Sequence, residues 1–293
     1  MKLEIILHQE QVANIINKYT PLDLTCQDVL FRKNFIQITK KSFQKYLDCL
    51  YVKNSKVPDT NFPFYHYKSF QYGKGILNSS TFTFSALANY KEPLQDIKEY
   101  EHFYELIKMK PAEGFIENQK SDIFITCLTY EKNNAKFWED YADHNKGICI
   151  EFSIINNRSE SISVPFDFRE VCYDDSSKIA SIAKMQSEIF LIFKKYLFME
   201  SHSRFSAFYK RDNFSWENEI RAYINLANIK NMLPENFKLR KLPHNIEILQ
   251  VPFDNFLFKA EILSVKLGSA LTIPQRKDII SLVKTKYPNV LIT

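Results

Sequence analysis

Trp216-Glu217-Asn218-Glu219-Ile220-Arg221-Ala222-Tyr223 is the stretch on which the fold reading turns. Side chains of a strand alternate between two faces. As a strand, this run sets Glu217, Glu219, Arg221 and Tyr223 on one face and Trp216, Ile220, Ala222 and Ile224 on the other. As a helix, Trp216, Ile220 and Ile224 fit i, i+4, i+8, and Glu217 to Arg221 is a favourable i, i+4 pair. The pattern alone leaves both open. In the strand reading the carboxylates at i and i+2 stand about 7 Å apart. One could then stabilise a developing cation while the other orients or deprotonates a nucleophile. A solvated charged face is the commoner fate of such a run.

Outward from this stretch, Phe64–Phe70, Thr81–Ser85, Asp122–Tyr130, Gly147–Phe152 and Phe256–Leu267 read as strands, rich in aromatic and β-branched residues. Tyr100–Lys110, Ala135–Asp143, Ile179–Met199 and Gln275–Lys286 read as helices. Residues 1 to 58 read as mostly helical, with Thr39 capping a helix through Leu50. Irregularly spaced strands with segregated helices predict an α+β fold. Lys53–Pro63, with two prolines, is the best boundary. The expected organisation is an N-terminal helical extension, 1–58, and a main domain, 59–293, carrying a helical insertion near 176–205.

Composition narrows the function classes. The 293 residues include only 5 glycines but 25 Phe and 16 Tyr. Glycine-rich phosphate loops are therefore poor candidates, and aromatic packing is the expected core material. Lys plus Arg is 39 and Asp plus Glu is 34, a mild +5. Short basic clusters at Lys40-Lys41 and Lys238–Lys241 read as solvated surface rather than a nucleic-acid face. The 5 cysteines include no CxxC pair, so a zinc site or disulfide framework is not expected and a reducing compartment fits best. Met1–His8 has no signal-peptide core and no stretch could span a membrane. The expectation is a cytoplasmic protein, or one delivered into a host cell without a cleaved signal peptide.

Several catalytic signatures are missing. Gly73-Lys74-Gly75 starts like a dinucleotide fingerprint, but Asn78 stands where the third glycine would fall. There is no Walker loop, no H-E-x-x-H and no G-x-S-x-G. The histidines at 8, 66, 102, 144, 202 and 244 are too scattered for a metal site.

Two further segments stand out. Tyr65-His66-Tyr67 puts His66 on one strand face and both tyrosines on the other. Such a histidine can donate to a ribose hydroxyl, or can be a core-edge residue with one satisfied ring nitrogen. Cys127-Leu128-Thr129-Tyr130 ends a strand, followed by Trp138-x-x-Tyr141-Ala142 and Lys146-Gly147-x-x-x-x-Phe152. Trp138 and Tyr141, three apart on a helix, are ordinary packing partners.

In this order the segments resemble a large, uncharacterised bacterial domain family. Its members read approximately Tyr-x-Tyr, Cys-Phe-Ser, Trp-x-x-Tyr-Ala, Lys-Gly-x-x-x-x-Phe, Trp-x-x-Glu-x-Glu-x-Arg and Val-x-Leu-Gly. Here these fall at Tyr65–Tyr67, Cys127–Thr129, Trp138–Ala142, Lys146–Phe152, Phe214–Arg221 and Val265–Gly268. Phe214 replaces the family's second tryptophan, and its Asn-Asp-Pro-Phe-Glu becomes Lys91-Glu92-Pro93-Leu94-Gln95.

The order also resembles the mono-ADP-ribosyltransferase fold. That fold runs from a His or Arg on the first core strand, through a Ser/Thr or Tyr element, to a late Glu, often Glu-x-Glu. The resemblance implies a split mixed sheet with peripheral helices and NAD as co-substrate. It implies Glu219 and Glu217 as catalytic acids. His66, Tyr67, Tyr90, Thr129, Tyr130 and Arg221 become the NAD-binding candidates. It implies cleavage of the nicotinamide–ribose bond through an oxocarbenium-like transition state. Glu219 would stabilise the cation, Glu217 would position the acceptor, His66 would hold the adenosine ribose and a tyrosine would cover nicotinamide. The expected acceptor is a protein side chain, arginine first, in a bacterial effector or toxin. The rivals are transfer to nucleic acid, NAD hydrolysis in a defence system, and a non-catalytic interaction module.

Overall fold

Burial along Thr81–Ala86 alternates strictly, with Phe82, Phe84 and Ala86 buried and the residues between them half-buried. That period of two is what a sheet with one core-facing side demands. Repeated along the chain it builds an α+β architecture, seen in a computed structural model. The structure describes residues 2–39, 41–42, 45–46, 62–89, 122–156, 166–173, 177–197, 207–208, 210, 212–228 and 233–293.

In chain order the principal elements are α1 (Lys2–Tyr19), β1 (Val29–Phe31), β2 (Phe35–Ile38), β3 (Phe64–Ser69), α2 (Phe70–Ser79) and β4 (Thr81–Ala86). Next come β5 (Ile123–Thr129), α3 (Ala135–Asp140), β6 (Gly147–Asn156), β7 (Phe166–Glu170), α4 (Ser177–Phe193) and β8 (Tyr196–Leu197). Then follow β9 (Glu219–Asn225), β10 (Lys238–Leu242), β11 (Ile246–Pro252), β12 (Phe258–Leu267), α5 (Ile273–Lys286) and β13 (Leu291–Ile292).

The chain divides into two units. One gathers residues 1–56, 90–120 and 171–214; the other gathers 57–89, 121–170 and 215–293. In the first unit β1 and β2 form an antiparallel pair, and β8 joins β2 in parallel. Gln186 of α4 docks β8 by bracketing Leu197, its amide donating to the Leu197 carbonyl at 3.0 Å and its oxygen accepting from the Leu197 N–H at 3.1 Å. Val12, Ile16, Ile36, Ile38, Ile182, Met185 and Ile189 are buried in this unit.

The N-terminal region is thus less helical than the sequence reading expected. Phe35-Ile36-Gln37-Ile38 buries alternate residues and pairs as a strand. The helix expected over Ile179–Met199 ends at Phe193, where Lys194 turns left-handed (φ 53°) and leads into β8. The helix expected over Tyr100–Lys110 lies outside the described residues, as does most of the one expected after Thr39.

The second unit holds a ten-stranded sheet along the path β10-β11-β4-β5-β3-β6-β12-β13, with β9 on β5 and β7 on β9. It forks at β5. One edge of β5 carries β9 from Ile123 to Thr129. The other edge meets β4 at Phe124 and Ile125 but β3 only at Thr129. Phe64, Phe82, Phe84, Phe124, Phe152, Phe168 and Phe258 are among the buried rings between the diverging halves. The aromatic excess in the composition is spent there.

Gly73-Lys74-Gly75 sits in α2, not in a phosphate loop. Three of the short motifs turn out to be one joint. Ala142 is fully buried against Gly147, where an added Cβ would meet the Ala142 Cα at 2.9 Å and overlap the Lys68 carbonyl. The Gly268 N–H then donates to the Gly147 carbonyl at 2.9 Å. The alanine and both glycines are required because backbone passes directly over backbone. Among the described residues no helix is long and apolar enough to cross a membrane, and no group of three His, Cys, Asp or Glu could hold a metal ion.

Candidate functional site

All the described site candidates lie in the second unit, and strand register decides which of them meet. Directly opposed residues of an antiparallel pair share a face. Tyr65 opposes Thr129, and Thr129 opposes Glu219. Tyr65, Thr129 and Glu219 therefore form one row across β3, β5 and β9, spanning two strand spacings, about 10 Å. Glu151 of β6 extends the row beyond Tyr65, whose hydroxyl reaches Glu151 Oε1 at 3.3 Å. Arg221 opposes Cys127 in the next row of the same face.

His66 points the other way. It opposes Ile150, which belongs to the phenylalanine core. Its ring meets Phe82 edge-on at 6.2 Å. Nδ1 lies 2.7 Å from the Cys127 carbonyl, so it carries the proton and donates. This bond closes the gap where β3 and β4 part along β5. Nε2 is buried with no hydrogen-bond partner. Burial, with the neighbouring Lys68 charge, holds the imidazole well below its ordinary pKa, so it is neutral. His66 and Glu219 thus occupy opposite faces of one sheet, and the structure does not join them in a crevice. Tyr130 also packs toward the core, its ring 5.7 Å from Phe64 and its hydroxyl donating to Glu170 at 3.0 Å. Tyr90 lies outside the described residues.

The strand reading of Glu219–Asn225 holds, with Ile220, Ala222 and Ile224 in the core. It fails for the residues before it. Asp212–Glu217 is a 3-10 turn, and Asn218 is left-handed at φ 43°. Asparagine tolerates that conformation far better than a branched residue. The kink carries Trp216 away from the phenylalanine core to a second cluster formed by Tyr65, Tyr67, Phe137, Trp138, Ala142 and Cys149.

Both carboxylates are buried, Glu217 at 3% exposure and Glu219 at 4%. Glu219 accepts from Arg221 Nε at 2.7 Å and Nη2 at 3.2 Å. Glu217 accepts from the Tyr141 hydroxyl at 2.8 Å. The Thr129 hydroxyl donates to the Glu217 carbonyl at 2.6 Å and accepts from the Glu131 N–H at 3.0 Å. Thr129 thus anchors the turn that delivers the acids. Tyr67 stacks on Phe137 at 5.0 Å, and its hydroxyl is within donating distance of the Glu131 and Lys132 carbonyls. Burial pushes the Tyr65 phenol up to about 12, with Glu151 adding to the effect. Lys136 lies 3.9 Å over the Trp216 ring.

Two positioned carboxylates and an arginine thus lie beside a buried cluster of rings, of which Trp216 is the partly exposed member. The sequence reading missed Tyr65, Glu151 and the Tyr141 hydroxyl as members. Tyr65 was visible in the Tyr-His-Tyr triplet, but choosing it over His66 requires the parity of a strand pairing 64 residues apart, Tyr65 with Thr129.

No curated protein and no solved structure matches the chain. Residues 137–222, from α3 through the first half of β9, are similar to the family described as a protein of unknown function (DUF2971).

Proposed function

We propose that the second unit is a mono-ADP-ribosyltransferase domain that uses NAD to modify a protein side chain. The observation carrying this reading is the row Tyr65–Thr129–Glu219 across three strands. Its Ser/Thr and late-Glu members share one face, whereas the first-strand His66 of the expected order lies on the other. In this reading Tyr65 takes the place first given to His66.

In this reading the nicotinamide–ribose half of NAD lies beside Glu219, and Trp216, the partly buried ring of the cluster, covers the flat heterocycle. Glu219 accepts a ribose hydroxyl and stabilises the cation that develops as the bond to nicotinamide weakens. The Arg221 grip fixes the orientation of that carboxylate. Glu217 receives the acceptor, for which arginine is the first candidate.

Wild-type protein incubated with NAD and a cell lysate should release nicotinamide and label protein. Glu219→Gln, checked for folding by circular dichroism, should lower release by about 10² to 10³. Wild type that neither releases nicotinamide nor labels anything overturns the proposal. Label in nuclease-sensitive material selects nucleic acid as acceptor, and free ADP-ribose alone selects hydrolysis.

A second reading is a non-catalytic interaction module. The burial and internal bonding of Glu217 and Glu219 favour it, because these acids would stabilise the fold without any substrate.

A further inference from the structure

We infer that Tyr141 is a positioning residue for Glu217 and decides whether the acceptor or water captures the ribosyl group; this rests on the transferase reading above. Glu217 is gripped at both ends. Its carbonyl takes the Thr129 hydroxyl at 2.6 Å, and its carboxylate takes the Tyr141 hydroxyl at 2.8 Å.

The phenol is itself held in place. Tyr141 ends α3, its N–H donating to the Phe137 carbonyl at 3.0 Å. Its ring lies 5.5 Å from that of Phe137, which in turn stacks on Tyr67 and lies 5.1 Å from Trp216. Burial and the neighbouring Glu217 charge both raise the phenol's pKa, so it stays a donor across the usual pH range. Yet the residue is 41% exposed. Tyr141 therefore joins a buried carboxylate to a surface that an incoming side chain can reach.

In the transfer, the bond from ribose C1′ to the nicotinamide nitrogen breaks and its electron pair leaves with nicotinamide. The acceptor's lone pair forms the new bond at C1′, and the acceptor's proton passes to Glu217 and then to solvent. Glu219 serves the breaking bond and Glu217 the forming one. A Glu217 that has lost the Tyr141 bond still allows the first event but favours the acceptor over water less strongly.

The test is Tyr141→Phe, which keeps the ring packing and removes only the hydroxyl. Nicotinamide release, protein labelling and free ADP-ribose are measured together with the melting temperature. The expected result is release within about twofold of wild type, a folded protein whose melting temperature falls by a few degrees, and a fall in the transferred share of about tenfold or more, the loss of one charge-assisted hydrogen bond. The KM for acceptor should rise while that for NAD stays. An active wild type with an unchanged share in Tyr141→Phe overturns this inference alone. Release and transfer falling in parallel also overturns it, because Tyr141 would then act on bond breaking. A wild type that releases no nicotinamide removes the transferase reading and this inference with it.

Discussion

Arg221 grips Glu219 from two residues along the same strand, with Nε on one carboxylate oxygen and Nη2 on the other. The two side chains are 2% and 5% exposed, which makes this a buried ion pair. Across β7, Arg221 directly opposes Arg169, whose Nε is 2.9 Å from Asp167. Opposed like charges destabilise a sheet, so each arginine needs the acid two residues before it.

Removing one partner of such a pair strands the other. Arg221→Met should cost about 3–5 kcal/mol, because a buried carboxylate loses its bidentate partner. The double variant Glu219→Leu with Arg221→Met should cost less than the sum of its singles. Urea unfolding of the four proteins checks this. Additive losses would show that the pair is not coupled.

Gly147→Ala should be among the most damaging small substitutions in the second unit. The added methyl meets the Lys68 carbonyl and the Ala142 Cα, both backbone atoms that cannot swing aside. A loss of about 3 kcal/mol or more is expected, in the range of strain and overpacking effects. Gly75→Ala is the control: its new Cβ meets nothing within 4 Å, and in a helix alanine should gain about 0.5–1 kcal/mol. Opposite shifts in melting temperature confirm the pair of expectations.

Thr129→Val keeps the shape of the side chain and removes a hydroxyl that both donates to Glu217 and accepts from Glu131. Each buried group left unsatisfied costs about 1–3 kcal/mol. Thr129→Ser should recover most of that loss, since it restores the hydroxyl and drops only a methyl. Chemical denaturation of the three proteins measures it.

Elements were legible in the sequence where local pattern decides them. The aromatic alternation after Thr81 gave β4, whereas the alternation Ile220, Ala222, Ile224 against Glu219, Arg221, Tyr223 fitted β9 without excluding a helix. The Trp216–Asn218 end was ambiguous because both patterns fit it, and a single left-handed Asn218 resolved the matter as turn then strand. Site membership was less legible because it depends on register. A one-residue slip in pairing moves every side chain to the other face. Tyr65 and His66 are adjacent in sequence, and only the pairing of Tyr65 with Thr129 shows which of them shares a face with Glu219. The β7 strand was missed because Phe166–Glu170 carries charges at Asp167, Arg169 and Glu170, and a buried Asp–Arg pair does not announce itself in a composition window.

His66 gives the stability of the second unit a pH dependence whose sign is fixed by its burial. The folded imidazole titrates well below 6.5, while the unfolded one titrates near that value. Below pH 6.5 the unfolded chain therefore binds a proton that the folded chain refuses. The stabilising contribution is complete above pH 6.5 and is lost as pH falls beneath it, at up to about 1.4 kcal/mol per pH unit. His66→Gln can still donate to the Cys127 carbonyl but cannot take up the proton. Its unfolding free energy should start lower at pH 7.5 and fall less steeply between pH 6.5 and 5, so the two curves converge. Parallel curves would mean that the folded imidazole takes up its proton in step with the unfolded one. The Nδ1 proton would then still serve the carbonyl, and a second donor, Nε2–H, would be buried with no acceptor, an arrangement the apolar side of β3 does not support.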